Sequence, residues 1–219
     1  RLAWGLLALL VLGLVGYGLY QRPVPAVYAQ PVSLPTVKQT VNIAWPASGE
    51  AAFSVKSQDI LQTNGPQLPK PTASVAKVMM ALTVLQKYPL KVGEAGPLIT
   101  ITPSDVDLYN TYQAEGGTVL PVSEGEQLSE YQVLQAALLP SANNMADTLA
   151  LWAYGSMGSY LSAANQKALD IGMTQSHFAA DASGFSPQTT STPADLVRLG
   201  EAALDNAVVR EIVAQTSAT

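Results

Sequence analysis

The chain has 219 residues, a formal net charge of −5 and only 12% charged residues, which excludes the clustered basic face that nucleic acid requires. It has no cysteine and one histidine, His177, so disulfides, a thiolate nucleophile and a multi-histidine zinc site are excluded too. At 48% hydrophobic residues, it can bury one substantial core.

Leu2 to Tyr20 carries no charge. As a helix rising ~1.5 Å per residue it would span about 28 Å, close to the hydrocarbon thickness of a bilayer. Residues 1–20 are therefore expected to form a transmembrane anchor or a signal segment, with the following domain outside the cytoplasm. Pro23, Pro25, Pro31 and Pro35 mark 21–40 as an extended linker. A folded domain is expected over 41–219.

Within it, Ala51 to Lys56 and Ile60 to Thr63 read as a short hairpin. Val75 to Tyr88 is apolar nearly all round, which suits a helix buried on most faces. Leu98 to Ile101 reads as a short strand, and Glu115-Gly116-Gly117 and Glu124-Gly125-Glu126 as turns. Ser129 with Gln132 forms a capping box for a helix ending near Leu139, where Pro140 interrupts. Further helices are expected over 144–154, closed by Gly155, and over 159–171, closed by Gly172. Thr192, Pro193 and Asp195 open another that reaches Leu204, and one more follows Asn206.

Lys77 sits inside the apolar run "PTASVAKVMMALTVL", three residues after Ser74. On a helix that spacing places both side chains on one face. A serine hydroxyl needs a base near neutral pH, and burial lowers a lysine pKa by disfavouring the ammonium form. Ser74 with Lys77 is thus a candidate nucleophile and base, against the plainer reading of a lysine reaching out of a core helix. A second feature is "LPSANN", with Ser141 and Asn143 just after the Pro-broken helix end. Either could simply cap the next helix. Together, a Ser-Lys pair followed by a Ser-x-Asn triplet is the chemistry of penicillin-recognising acyl transferases.

From about Ala51 to Arg210 the chain resembles the serine D-alanyl-D-alanine carboxypeptidases, the low-molecular-mass penicillin-binding proteins. The likeness rests on Thr72-Ala73-Ser74-Val75-Ala76-Lys77, the Gly116-Gly117 turn, Glu124-Gly125-Glu126, Leu139-Pro140-Ser141-Ala142-Asn143-Asn144, "GMTQSHFAADASGFS" and "STPADLVRLG". It implies a penicillin-binding protein/β-lactamase-like α/β (α+β) fold, a helical cluster packed on an antiparallel sheet. It also implies that Ser74 is acylated, Lys77 is its base, Ser141 relays a proton to the departing D-alanine, and Asn143 binds substrate and orients Lys77. The Ser74 N–H would be one of two oxyanion donors. The implied partners are peptidoglycan stem peptides ending in D-Ala-D-Ala, β-lactams as acylating inhibitors, and the membrane through the first helix. No metal or organic cofactor is implied, and no nucleic acid.

The family's third motif, Lys-Thr/Ser-Gly, follows none of the seven lysines. It is expected beyond Thr219 in a longer protein, so that these 219 residues would be catalytically crippled. They would also lack later strands, leaving the sheet incomplete, the hairpin edge open, part of the core helix uncovered and the chain poorly soluble. Two rivals stand beside the carboxypeptidase reading. A class A-like β-lactamase would need a dedicated glutamate after Asn143, and the next is Glu201. A non-catalytic wall-binding or sensor relative would keep the groove without the chemistry.

A triad of His177, Asp181 and Ser183 is disfavoured, since the Ser-Lys pair already supplies a nucleophile and base; this stretch reads as a loop near the site. Asp105, Asp107, Glu115, Glu124 and Glu126 lack the spacing of a calcium loop and read as solvated turns. Trp152 and Tyr154 read as core aromatics.

Overall fold

A computed structural model describes residues 2–21 and 42–217. The linker expected over 21–40 lies, apart from its first residue, outside the described residues. The chain separates into two compact units, Arg1–Ile43 and Ala44–Thr219. The first contains helix α1 (Leu2–Tyr20). Its side chains are described from Trp4 onward and all are exposed. Among the described residues no helix is long and apolar enough to cross a membrane.

The second unit runs β1 (Ala51–Val55), β2 (Ile60–Asn64), β3 (Lys70–Pro71), α2 (Ala76–Lys87), β4 (Leu98–Thr100), α3 (Pro103–Ala114), β5 (Gln127–Ser129), α4 (Glu130–Leu138), α5 (Asn143–Tyr154), α6 (Met157–Asp170), β6 (Thr190–Ser191), α7 (Pro193–Asp205) and α8 (Ala207–Val213). Helices dominate. The strands form three antiparallel two-stranded ladders, β1-β2, β3-β6 and β4-β5. The hairpin register runs from Ala51 opposite Asn64 to Val55 opposite Ile60. A single turn of 3-10 helix over Lys56–Gln58 joins the two strands, and Asp59 absorbs the reversal at φ 51°.

α2 is the axis of the core. Met79, Met80, Ala81 and Val84 are fully buried, and Leu82 and Leu85 nearly so. Each large side chain removed from water contributes roughly 1.5–3 kcal/mol. α4, α5, α6 and α7 all pack on this helix, supplying Leu134, Met145, Leu149, Tyr160 and Leu199. The expectation that part of the core helix stays uncovered is therefore corrected. Nine of its twelve residues are buried, because helices rather than later strands close over it.

Helix starts follow the capping chemistry. Ser129 and Gln132 bond reciprocally at α4, Thr192 accepts from the Asp195 N–H at α7, and Asn206 accepts from two N–H groups at α8; each cap stabilises its helix by about 1 kcal/mol. One helix, α3, is absent from the sequence expectation. Thr102 caps it, Pro103 opens it and Asp105 closes a capping box. Asp105 is thus not a solvated turn residue. It is buried and accepts from the Thr102 N–H at 2.8 Å, the Thr102 hydroxyl at 2.6 Å and the Thr148 hydroxyl at 2.8 Å. That ties α3 to α5. Among the described residues no acidic cluster is arranged to hold a metal ion.

Candidate active site

Ser74 lies in a single 3-10 turn, Ala73–Val75, that leads directly into α2. Ala73 before it takes a left-handed φ of 48°, a conformation that costs a non-glycine residue and persists only when its surroundings impose it. Ser74 is exposed while Lys77 is 1% exposed. The Lys77 Nζ donates to Ser74 Oγ at 3.0 Å, to Asn143 Oδ1 at 2.7 Å and to the Ser183 carbonyl at 3.1 Å. The snorkelling alternative for Lys77 therefore fails.

Three acceptors saturate the three N–H bonds of an ammonium. When Lys77 is a free amine, two N–H bonds remain. The Asn143 amide oxygen and the Ser183 carbonyl can only accept, so they hold those two. The lone pair is then left facing the Ser74 hydroxyl, which can donate. Burial pushes the Lys77 pKa down to about 8, while the charges of Asp181 and Asp147 pull it back up. A pKa near the working pH suits a group that must both take and return a proton.

Ser141 lies in the α4–α5 connection and Asn143 is the first residue of α5. Ser141 has φ 63°, a second strained non-glycine beside the site. The Ala142 N–H donates to the Ala136 carbonyl at 3.1 Å and the Asn143 N–H to the Thr118 carbonyl at 2.8 Å. The cap residue of α5 is Ala142, with no side-chain cap, so neither Ser141 nor Asn143 plays the plain capping role. Asn144 locks the neighbouring strap by accepting from the Leu120 N–H and donating to its carbonyl. Gly117 is required here: a Cβ would stand 2.7 Å from Asn143 Nδ2. Among the described residues the Ser141 hydroxyl makes no hydrogen bond, so its fit to a relay rests on its place beside Asn143.

The sequence reading missed the support beneath Lys77. The loop carrying Ser183 is folded around Asp181. Its Oδ1 accepts from Ser183 Oγ at 2.9 Å and from the N–H of Phe185 at 3.2 Å, and its Oδ2 from Ser186 N–H at 2.8 Å. The Gly184 N–H also donates to Oδ1, at 2.5 Å. Among the described residues the His177 side chain makes no hydrogen bond, and its backbone pairs with Thr190. The His177–Asp181–Ser183 triad is thereby excluded. A cavity of about 540 Å³ lined by His177, Phe178 and Asn165 includes none of Ser74, Lys77, Ser141 or Asn143.

Residues 40–218 match the peptidase S11 family, D-alanyl-D-alanine carboxypeptidase. The chain belongs to this family. It is 30% identical over 155 residues to the D-alanyl-D-alanine endopeptidase of Escherichia coli (strain K12), covering 70% of this chain and 46% of that protein. It is 32% identical over 155 residues to the D-alanyl-D-alanine endopeptidase of Pseudomonas aeruginosa, with 70% and 46% covered. The chain thus spans about half the length of the curated relatives it matches. Among solved structures, a D-alanyl-D-alanine carboxypeptidase from Mycobacterium tuberculosis H37Rv superposes with a TM-score of 0.67 at 28% identity, covering 83% of this chain and 65% of that one. The expected penicillin-binding protein-like α/β architecture is the one observed.

Proposed function

We propose that the chain carries the acylation machinery of a serine DD-peptidase acting on peptidoglycan stem peptides that end in D-Ala-D-Ala. The observation that carries this reading is the buried Lys77 amine, fixed by Asn143 and Ser183, with Ser74 as its third partner. Ser74 Oγ attacks the carbonyl of the penultimate D-alanine while Lys77 takes the hydroxyl proton. The carbon–nitrogen bond then breaks. D-Alanine leaves as its amine receives a proton through Ser141. Water attacks the acyl-serine and restores the free hydroxyl. Asn143 Nδ2 is left to bind the substrate backbone, and β-lactams acylate the same oxygen.

A second reading changes only the leaving group. The two relatives described above are named endopeptidases, which favours cleavage of a cross-linked peptide over release of a terminal D-alanine. Residues 1–20 are read as an anchor or signal segment on the charge-free run from Leu2 to Tyr20 alone; resistance of the native protein to alkaline carbonate extraction tests it.

The test of function is labelling of the native protein with fluorescent penicillin, followed by chromatography of two substrates. We expect labelling that Ser74→Ala abolishes, together with product from a D-Ala-D-Ala stem peptide or a cross-linked dimer. Labelling unchanged in Ser74→Ala contradicts the reading. Labelling with neither product points to the non-catalytic relative, and fast nitrocefin turnover to the β-lactamase.

A further inference from the structure

Asp147 lies four residues after Asn143 on α5, so the two side chains share one helical face. It is 3% exposed and both carboxylate oxygens are used. Oδ1 accepts from the Ala182 N–H at 2.8 Å and Oδ2 from the Tyr112 hydroxyl at 2.6 Å. The residue after Ala182 is Ser183, whose carbonyl receives Lys77. Tyr112 is buried on α3, and Ser183 Oγ reaches its hydroxyl at 3.4 Å. Asp147 makes no hydrogen bond to Lys77 among the described residues.

We propose that Asp147 is a positioning residue for the Ser74–Lys77 pair: through the Ala182 N–H it fixes the Ser183 carbonyl, which with Asn143 aims the Lys77 lone pair at Ser74. This rests on the reading of Ser74 and Lys77 as nucleophile and base. α5 then holds Lys77 by two arms. Asn143 grips the amine directly. Asp147, one turn further along, grips the loop that supplies the second acceptor. A backbone carbonyl in a loop is only as well placed as its neighbouring peptide, and a charge-assisted bond to that peptide is the strong kind.

The carboxylate also acts through its field. Lys77 faces two acidic groups, Asp147 from α5 and Asp181 from the loop. Tyr112 from α3 and Tyr160 from α6 feel both of them, and burial keeps each phenol protonated. Burial raises the Asp147 pKa to about 6, against the bonds from Tyr112 and Ala182 that lower it. Asp147 is therefore mostly ionised where Lys77 titrates, and its charge holds the lysine pKa up.

The experiment measures the acylation rate of the native protein by fluorescent penicillin as a function of pH, for wild type, Asp147→Asn and Asp147→Ala. Asp147→Asn keeps an oxygen for the Ala182 N–H and removes the charge. Its controlling ionisation should move to lower pH, with the plateau rate within a few-fold of wild type. Asp147→Ala removes both, so the same downward shift should accompany a plateau at least about ten-fold lower. A purely structural role would lower the melting temperature and the active fraction without moving the ionisation. Wild-type profiles in both variants overturn the proposal, as does an unshifted ionisation in Asp147→Asn. Failure of the underlying reading is distinguishable, because labelling would then survive Ser74→Ala.

Discussion

Gly184 lies against the carbonyl of Ala73, the residue just before Ser74. A Cβ at Gly184 would stand 2.0 Å from that oxygen, at a φ of +72° that side chains rarely adopt. The loop that offers Ser183 to Lys77 is thereby wedged against the turn that carries Ser74. One contact registers both partners of the acid–base pair.

Gly184→Ala should destabilise the fold by about 2–3 kcal/mol, because the opposing atoms are backbone and cannot swing aside. Acylation of Ser74 should fall by at least about 100-fold in the fraction that remains folded. Thermal unfolding together with penicillin labelling checks both parts.

Asn143 is the closest partner of the Lys77 amine. Asn143→Ala leaves a buried ammonium one acceptor short, at a cost of about 1.5–3 kcal/mol. Asn143→Asp does the opposite to the charge balance. A carboxylate there favours the ammonium form, so the Lys77 pKa rises and the acylation profile moves to higher pH. Stopped-flow acylation across pH distinguishes the two.

Glu130 opens α4 fully buried, and among the described residues neither carboxylate oxygen has a partner. The N–H groups of Glu130 and Tyr131 are already spent on the carbonyls of Pro97 and Ala95. Burial raises its pKa to about 7 from an ordinary 4.5. The folded state therefore binds the proton more tightly than the unfolded chain. Stability from this group is full below the ordinary value and is lost as pH rises through about 7. Glu130→Gln should raise the melting temperature by a few degrees at about pH 8 and leave it nearly unchanged at about pH 4.

Asp105 ties the start of α3 to Thr148 on α5. Asp105→Ala removes a cap, a buried bond from Thr148 and a part-buried one from Thr102, for a loss of about 1–3 kcal/mol. Asp105 is not among the charges that bear on Lys77, so denaturant unfolding should shift while the acylation ionisation stays where it is. A moved ionisation would show that α3 shapes the site more directly than its contacts indicate.

The legible part of this fold was the part written in local chemistry. Thr192-Pro193-x-Asp195 announced α7, and Ser129 with Gln132 announced α4. The same signature stands at Thr102-Pro103-x-Asp105, yet the acidic residues there suggested solvated turns. α3 shows little segregation of apolar from polar side chains, with only Asp105 and Tyr112 buried, so periodicity gave no second signal. β5 is three residues long and exists only through its pairing with β4.

The site divides the same way. Ser74 and Lys77 are three residues apart and could be paired from spacing alone, and Asn143 came from a short motif and a family likeness. The support could not be read. Ser183 contributes a main-chain oxygen, which its side chain does not encode, and Asp147 reaches it through Ala182, across 35 residues. Asn143 and Asp147 share a face only because α5 begins at Asn143, one residue before the expected helix start.

The most direct test sets two pH titrations of the native protein side by side: the acylation rate at Ser74, and the Lys77 side chain followed by NMR. The account predicts one ionisation near 8 in both, with the rate rising as Lys77 loses its proton. A Lys77 titration near the ordinary lysine value of 10.5, or an acylation rate flat across that range, would contradict it.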